Sequence, residues 1–247
     1  MKEQLKIDFE KILKISNFSE KDIKFKKDQL DKFIENGFPG KRLENWKFLD
    51  LNQIINKNIE NISFFNDYST TNKIDTSIYI DGLEHNKIIF INGRIEKIEF
   101  SYEDKNQIEI YDDIKSEDNF SVKNSLINLN NAFSNKYYKI LVKKGYSIKK
   151  PLIIYHLTNE KMKSKNINLR LDFELEENSS LKLIDFFNDI TDKNFMNIFY
   201  NFKLKNDSIL KNYKIDKSLN QNLKYSFNNI DQEKNSISET FIFSAGS

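Results

Sequence analysis

Ser180-Leu181-Lys182-Leu183-Ile184-Asp185-Phe186-Phe187, Ser208-Ile209-Leu210-Lys211-Asn212-Tyr213-Lys214-Ile215 and Ser236-Ile237-Ser238-Glu239-Thr240-Phe241-Ile242-Phe243 are alternating stretches spaced evenly along the chain. Ile153, Leu181, Ile209 and Ile237 recur at a step of 28. Ile167, Phe195 and Leu223 keep that step, and so do Leu171, Phe199 and Phe227. A serine (Ser180, Ser208, Ser236) precedes three members of the first column. An even step keeps matching side chains on the same face of a strand. A period of this size marks units that bury their apolar faces against their neighbours. The units are rich in Ile, Phe, Leu and Tyr and are bounded by Asn, Asp and Ser, which predicts strands. The expected architecture is a parallel β-helix with one coil per 28 residues, the rival being a regularly spaced antiparallel meander.

Outward from this array, the N-terminal third reads as helical. Leu5, Phe9, Ile12 and Leu13 form one face of a helix over 3–15. Ser19 with Asp22 predicts a capping box, and Ile23, Leu30, Phe33 and Ile34 the apolar stripe that follows. Gly37 and Pro39 stop that helix. A third helix is expected over 43–55, carrying Trp46, Leu49 and Ile54. Residues 1–60 thus read as an N-terminal helical domain and 61–76 as a linker. From 77 to 150 the chain is β-rich and leads into the core. Ile78 and Ile80 suggest a short strand there, and Asn92-Gly93 a hairpin. Val122 to Phe133 reads as one helix. Lys150-Pro151 opens the coils, which occupy 151–247. The fold class is mainly β with an N-terminal α domain.

Composition narrows the function. The chain has 247 residues, 38% hydrophobic and 13% aromatic, enough for a large core. Its 39 basic and 37 acidic residues are interspersed, so no basic face points to nucleic acid. It has no cysteine, which excludes disulfides and thiolate-held metals within it. The first residues lack the apolar run of a signal peptide, and no stretch is long enough to span a membrane; the expected location is cytoplasmic. With 6 glycines there is no phosphate-cradling loop. His85 and His156 stand alone in sequence, each read as structural. Asp112-Asp113 and Glu176-Glu177 read as solvated turn charges. The segments 178–180, 206–208 and 235–236 read as turn residues repeated at coil corners. In the stretch 32–50, Trp46 is the anchor of a helix junction, and Arg42 with Glu44 makes a surface pair.

That same stretch, with Gly37, Phe38, Pro39, Arg42, Glu44, Trp46, Lys47 and Phe48, resembles the N-terminal signature of SufD, in the SufB/SufD family of SUF iron–sulfur cluster assembly scaffolds. Four further segments follow in the family's order: Phe90-Ile91-Asn92-Gly93-Arg94, Leu129-Asn130-Asn131-Ala132-Phe133, Lys150-Pro151-Leu152, and Asn206 to Ile215 with Leu210-Lys211-Asn212-Tyr213-Lys214-Ile215. The resemblance implies an N-terminal helical domain followed by a right-handed parallel β-helix. It also implies a non-catalytic scaffold, with SufB and SufC homologues as partners. Neither nucleic acid nor membrane is an expected partner. No cofactor is expected on this chain alone; an iron–sulfur cluster would pass transiently through the full complex. Gly37, Pro39, Arg42, Glu44 and Trp46 are the signature residues, and they are structural. Catalytic and metal-ligating residues are expected to be none. The family is longer, and the expectation is that this chain stops inside the β-helix, without the family's C-terminal histidine. A β-helix carbohydrate-active enzyme, built on paired carboxylates, and a structural solenoid that binds a protein are the alternatives.

Overall fold

The structure is a computed structural model and describes residues 1–59, 61–66, 79–113, 124–189, 193–217 and 222–244. Its helices are α1 (Lys2–Ile15), α2 (Glu20–Asn36), α3 (Leu51–Asn58) and α4 (Ser125–Phe133). Its strands are β1 (Asn86–Ile91), β2 (Arg94–Glu99), β3 (Ile108–Asp113), β4 (Tyr137–Val142), β5 (Leu152–Thr158), β6 (Asn166–Leu175), β7 (Ser180–Asp189), β8 (Phe195–Leu204), β9 (Ile209–Asp216), β10 (Leu223–Gln232) and β11 (Ile237–Ser244).

From β4 onward successive strands alternate between two sheets, ordered β11-β9-β7-β5-β1-β2 and β10-β8-β6-β4-β3. Like strands of successive coils pair in parallel. At one end β2 and β3 add antiparallel to β1 and β4. The fold is therefore a parallel β-helix, as its sequence pattern predicts. The lumen between the sheets is packed with Ile88, Phe90, Ile140, Leu152, Ile154, Leu169, Leu171, Phe173, Leu183, Ile198 and Phe202.

The constant step of 28 holds only in the last coil. There Ile209 pairs with Ile237, Phe195 with Leu223, and Phe199 with Phe227. One coil earlier the step is 29: Leu181 pairs with Leu210 and Ile167 with Met196. Before that it is 31, with Ile153 beside Ile184. The tight corner at 176–179, 205–208 and 233–236 does not change length, so the extra residues lie at the wide corner. In the first coil that corner includes the 3-10 turn Glu160–Met162. Parallel pairing keeps side chains facing alike whether the step is odd or even.

The tight corners confirm the expected turn residues and shift one of them. Ser179, Ser208 and Ser236 each donate both backbone N–H and hydroxyl to the carbonyl three residues back, on Glu176, Lys205 and Glu233. The serine ladder therefore starts at Ser179, not Ser180. The residue before each serine is left-handed: Asn178 at φ +57°, Asp207 at +59° and Asn235 at +58°. Asn and Asp tolerate this conformation better than other residues with a Cβ.

The boundary expected at 151 moves to Asn86. β1 pairs in parallel with β5, so it already belongs to the first coil, and β4 pairs with β6 in the same way. The hairpin and α4 are insertions in that coil. Asn92 and Gly93 do form its turn, with φ +54° and +84°. Tyr79 and Ile80 are not in a strand. Ile78, residues 67–76 of the expected linker, Val122 and residues 245–247 lie outside the described residues.

Residues 1–60 close no core of their own. Leu5, Phe9, Ile12, Leu30, Phe33, Leu51 and Ile55 pack with Leu126, Leu129, Ala132 and Phe133 of α4 and with Phe195 of β8. The start of the expected linker belongs to this core, since Phe64 is buried and Asn66 Nδ2 donates to the Asn166 carbonyl at 2.9 Å. The helical layer covers the outer face of the five-stranded sheet. Asn130 Nδ2 fastens it there, donating to the carbonyls of Leu169 and Asn197 on adjacent coils, at 3.0 and 2.8 Å.

Candidate functional site

The signature stretch forms the joint between helices and coils. Ser19 and Asp22 make the expected capping box at the start of α2, and Gly37 ends that helix at φ +69°. Phe38 then enters an aromatic nest with Phe33 (5.1 Å), Phe64 (6.4 Å) and Phe195 (6.1 Å). The Pro39 carbonyl accepts from Leu51 N–H at 3.0 Å. The single helix expected over 43–55 is two pieces. Glu44–Trp46 is a 3-10 turn, and Asp50 starts α3 afresh by accepting from Gln53 N–H at 3.0 Å.

Trp46 is half-buried against Tyr225 of β10, ring centroids 5.8 Å apart, so it anchors the joint to the last coil. Asn124 Nδ2 donates to the hydroxyl of the same tyrosine at 2.8 Å. Glu44 pairs with Lys47 at 3.6 Å rather than with Arg42, because the 3-10 turn brings the residue three positions on beside it. Arg42 is exposed, and beyond it Leu43, Phe48 and Leu49 face solvent, Phe48 at 82%. Of the five signature residues, Gly37, Pro39 and Trp46 hold the joint together, while Arg42 and Glu44 lie on its surface.

The structure also assembles a polar cluster in the lumen. Phe90, His156 and Phe187 occupy matching positions on β1, β5 and β7, and the imidazole stacks between the two rings at 5.6 and 4.5 Å. His156 Nε2 lies 3.2 Å from Asp185 Oδ1, and Tyr200 OH donates to that oxygen at 3.0 Å. Burial, with Asp185 beside it, pushes the Tyr200 phenol well above its usual pKa, so it stays protonated and donates. Lys214 pairs in register with Asp185, its ammonium 4.0 Å from the centre of the Tyr200 ring. It donates to Ser226 Oγ at 2.6 Å and Asn228 Oδ1 at 3.0 Å. Burial lowers the Lys214 pKa, and Asp185 works against that. Sequence reading noted His156 but not its partners, which lie on other coils. The available signal was parity: Asp185 sits between Leu183 and Phe187 at inward positions, where charge is out of place.

The other expected residues stay apart. His85 Nδ1 bonds the Leu83 carbonyl at 2.5 Å and its Nε2 meets Tyr155 OH at 2.9 Å, which holds the 79–85 segment on the outer sheet face. Lys144 donates its backbone N–H to Glu176 and pairs its ammonium with Glu177, while Asp112 pairs with Lys136. These carboxylates serve corners and strand edges. Among the described residues, no three His, Asp or Glu side chains converge as a metal-holding group, and no helix is long and apolar enough to cross a membrane. No family model matches the sequence, and no curated protein matches it.

Proposed function

We propose that this chain is a non-catalytic scaffold subunit of SUF-type iron–sulfur cluster assembly, acting through SufB and SufC homologues. One observation carries the reading. The five segments that resemble the family each fall on a position that shapes the fold. Gly37 to Trp46 form the joint, and Asn92-Gly93 the hairpin turn. Leu129 to Phe133 lie in α4, Lys150-Pro151 lead into β5, and Leu210 to Ile215 lie in β9. A scaffold also suits a solenoid whose last strands, β10 and β11, each pair on one side only among the described residues. The cluster itself would be cargo of the full complex.

Co-expression with the SufB and SufC homologues of the same genome tests this reading. Co-elution of the three chains on size exclusion is the expected result. A chain that elutes alone, with both partners folded and present, overturns it.

A further inference from the structure

The lumen changes character along the solenoid. In the first coils it is filled by aliphatic and aromatic side chains. From β7 onward, polar groups join the apolar side chains at the inward positions. Asp185 is followed by Asn212 and Lys214 on β9, then by Ser226 and Asn228 on β10 and Ser238 and Thr240 on β11.

Several of these groups are buried without a partner among the described residues. Asp185 is 0% exposed; its Oδ1 accepts from Tyr200, but Oδ2 accepts from nothing. Asn212 is also 0% exposed, and neither its amide nitrogen nor its amide oxygen is bonded. The Ser238 hydroxyl is buried and unbonded too. By register Asn212 adjoins each of the other two. Asn212 pairs with Leu183, two residues from Asp185 on the same face, and Ser238 pairs with Leu210, two residues from Asn212. Each such atom is destabilising alone, and native interiors hold few of them. Four such atoms fall along one stretch of the lumen, which marks a site.

We propose that the lumen between β7, β9 and β11 binds ordered water, held by Asp185 Oδ2, both ends of the Asn212 amide and the Ser238 hydroxyl. The partner set selects the ligand. It offers acceptors and donors together, and water is both; a buried water takes two to four such partners. The Asp185 carboxylate and the Lys214 ammonium stand on adjacent coils and balance each other. An anion would meet the first and a cation the second, so a neutral guest fits best.

A crystal structure of the full chain at atomic resolution tests the proposal. Water within about 2.7–3.2 Å of both Asp185 Oδ2 and the Asn212 amide is expected. A direct Asp185–Asn212 hydrogen bond with no water between them, or an ion at that position, overturns it. The melting temperature of Asn212→Leu is a second readout. Removing a water's anchor strands Asp185 Oδ2, so a fall of about 4 °C or more is expected. An unchanged or raised melting temperature would mean that the amide had no ligand, and overturns the proposal.

Discussion

The buried Asp104 carboxylate accepts the backbone N–H of Lys149, 45 residues on, at 3.0 Å. It also accepts from Lys150 N–H (3.2 Å), Asn86 Nδ2 (2.9 Å), Ser101 Oγ (3.0 Å) and Tyr146 OH (3.0 Å). The tail of the hairpin is thereby tied to the corner that enters β5. Asp104→Ala strands two backbone donors and removes one of the two bonds made by Asn86 Nδ2, and is expected to cost about 2–4 kcal/mol by urea denaturation at neutral pH.

Acid sensitivity follows from the same group. Burial pushes the Asp104 carboxyl up, but hydrogen bonds from Asn86, Lys149, Lys150 and Ser101 outweigh it, and its pKa lies below the usual value. Its contribution is therefore present above the unfolded pKa, near 3.9, and is lost as pH falls through the folded one. Asp8 in α1 behaves alike. Burial raises its pKa, while bonds from Gln4, Phe64 N–H, Lys11 and Ser63 bring it below normal. Melting temperature should decline below about pH 4, and more shallowly in Asp104→Ala.

Lys26 gives a slope of the same sign on the alkaline side. It is 1% exposed and donates to the carbonyls of Asn131 and Ser134 at the end of α4. Burial brings its pKa down to about 7, against a smaller opposing effect from Asp22. Between that value and the unfolded one near 10.4, the unfolded chain binds more protons. Stability is thus expected to rise with pH by at most about 1.4 kcal/mol per unit. Lys26→Met should lose this rise; parallel melting curves from pH 7 to 10 for the two proteins would contradict it.

Gly93 has φ +84°, and a Cβ there would stand 2.9 Å from Ile167 Cγ2. Gly93→Ala is expected to destabilise by about 1–3 kcal/mol through backbone strain and the clash with β6. At the tight corner, Asn178→Gly should be close to neutral and Asn178→Val should cost about 1–2 kcal/mol. Thermal melts of the three variants rank them.

Trp46 is the one tryptophan of the chain and rests on Tyr225 in the last coil. Its fluorescence reports whether the helical layer is docked. Because Phe195 and α4 share one core with α1–α3, tryptophan emission and far-UV dichroism should change at the same denaturant concentration. Two separate midpoints would mean that residues 1–60 fold independently.

Local chemistry in the sequence was readable wherever neighbours along the chain decide the structure. Ser19 with Asp22, Asn92-Gly93 and the corner serines each act within a few residues. The coil architecture was readable too, because alternation survives a change of step. The register was not, since an added residue at the wide corner is invisible until strands pair. The third helix was misjudged because Asp50 looks like an ordinary interior residue until it caps. Lys26, Asn130 and Arg170 carry polar side chains and are buried because their partners lie on other elements. Lys26 and Asn130 meet carbonyls, and Arg170 lies between the rings of Tyr137 and Phe199 with Asp172 beside it. The lumen cluster was hidden for the same reason: His156 and Asp185 are 29 residues apart and become neighbours only when β5 lies against β7.

Asn130 grips two successive coils with one amide, and this restricts how the solenoid could lengthen or shorten. A whole coil duplicated or deleted between β6 and β8 would pull the carbonyls of Leu169 and Asn197 out of reach of a single side chain. Among the described residues no such double grip from α4 reaches beyond β8, and the step settles to 28. Duplication or loss of repeats is thus tolerated far better on that side, while the coils beneath α4 are fixed in number.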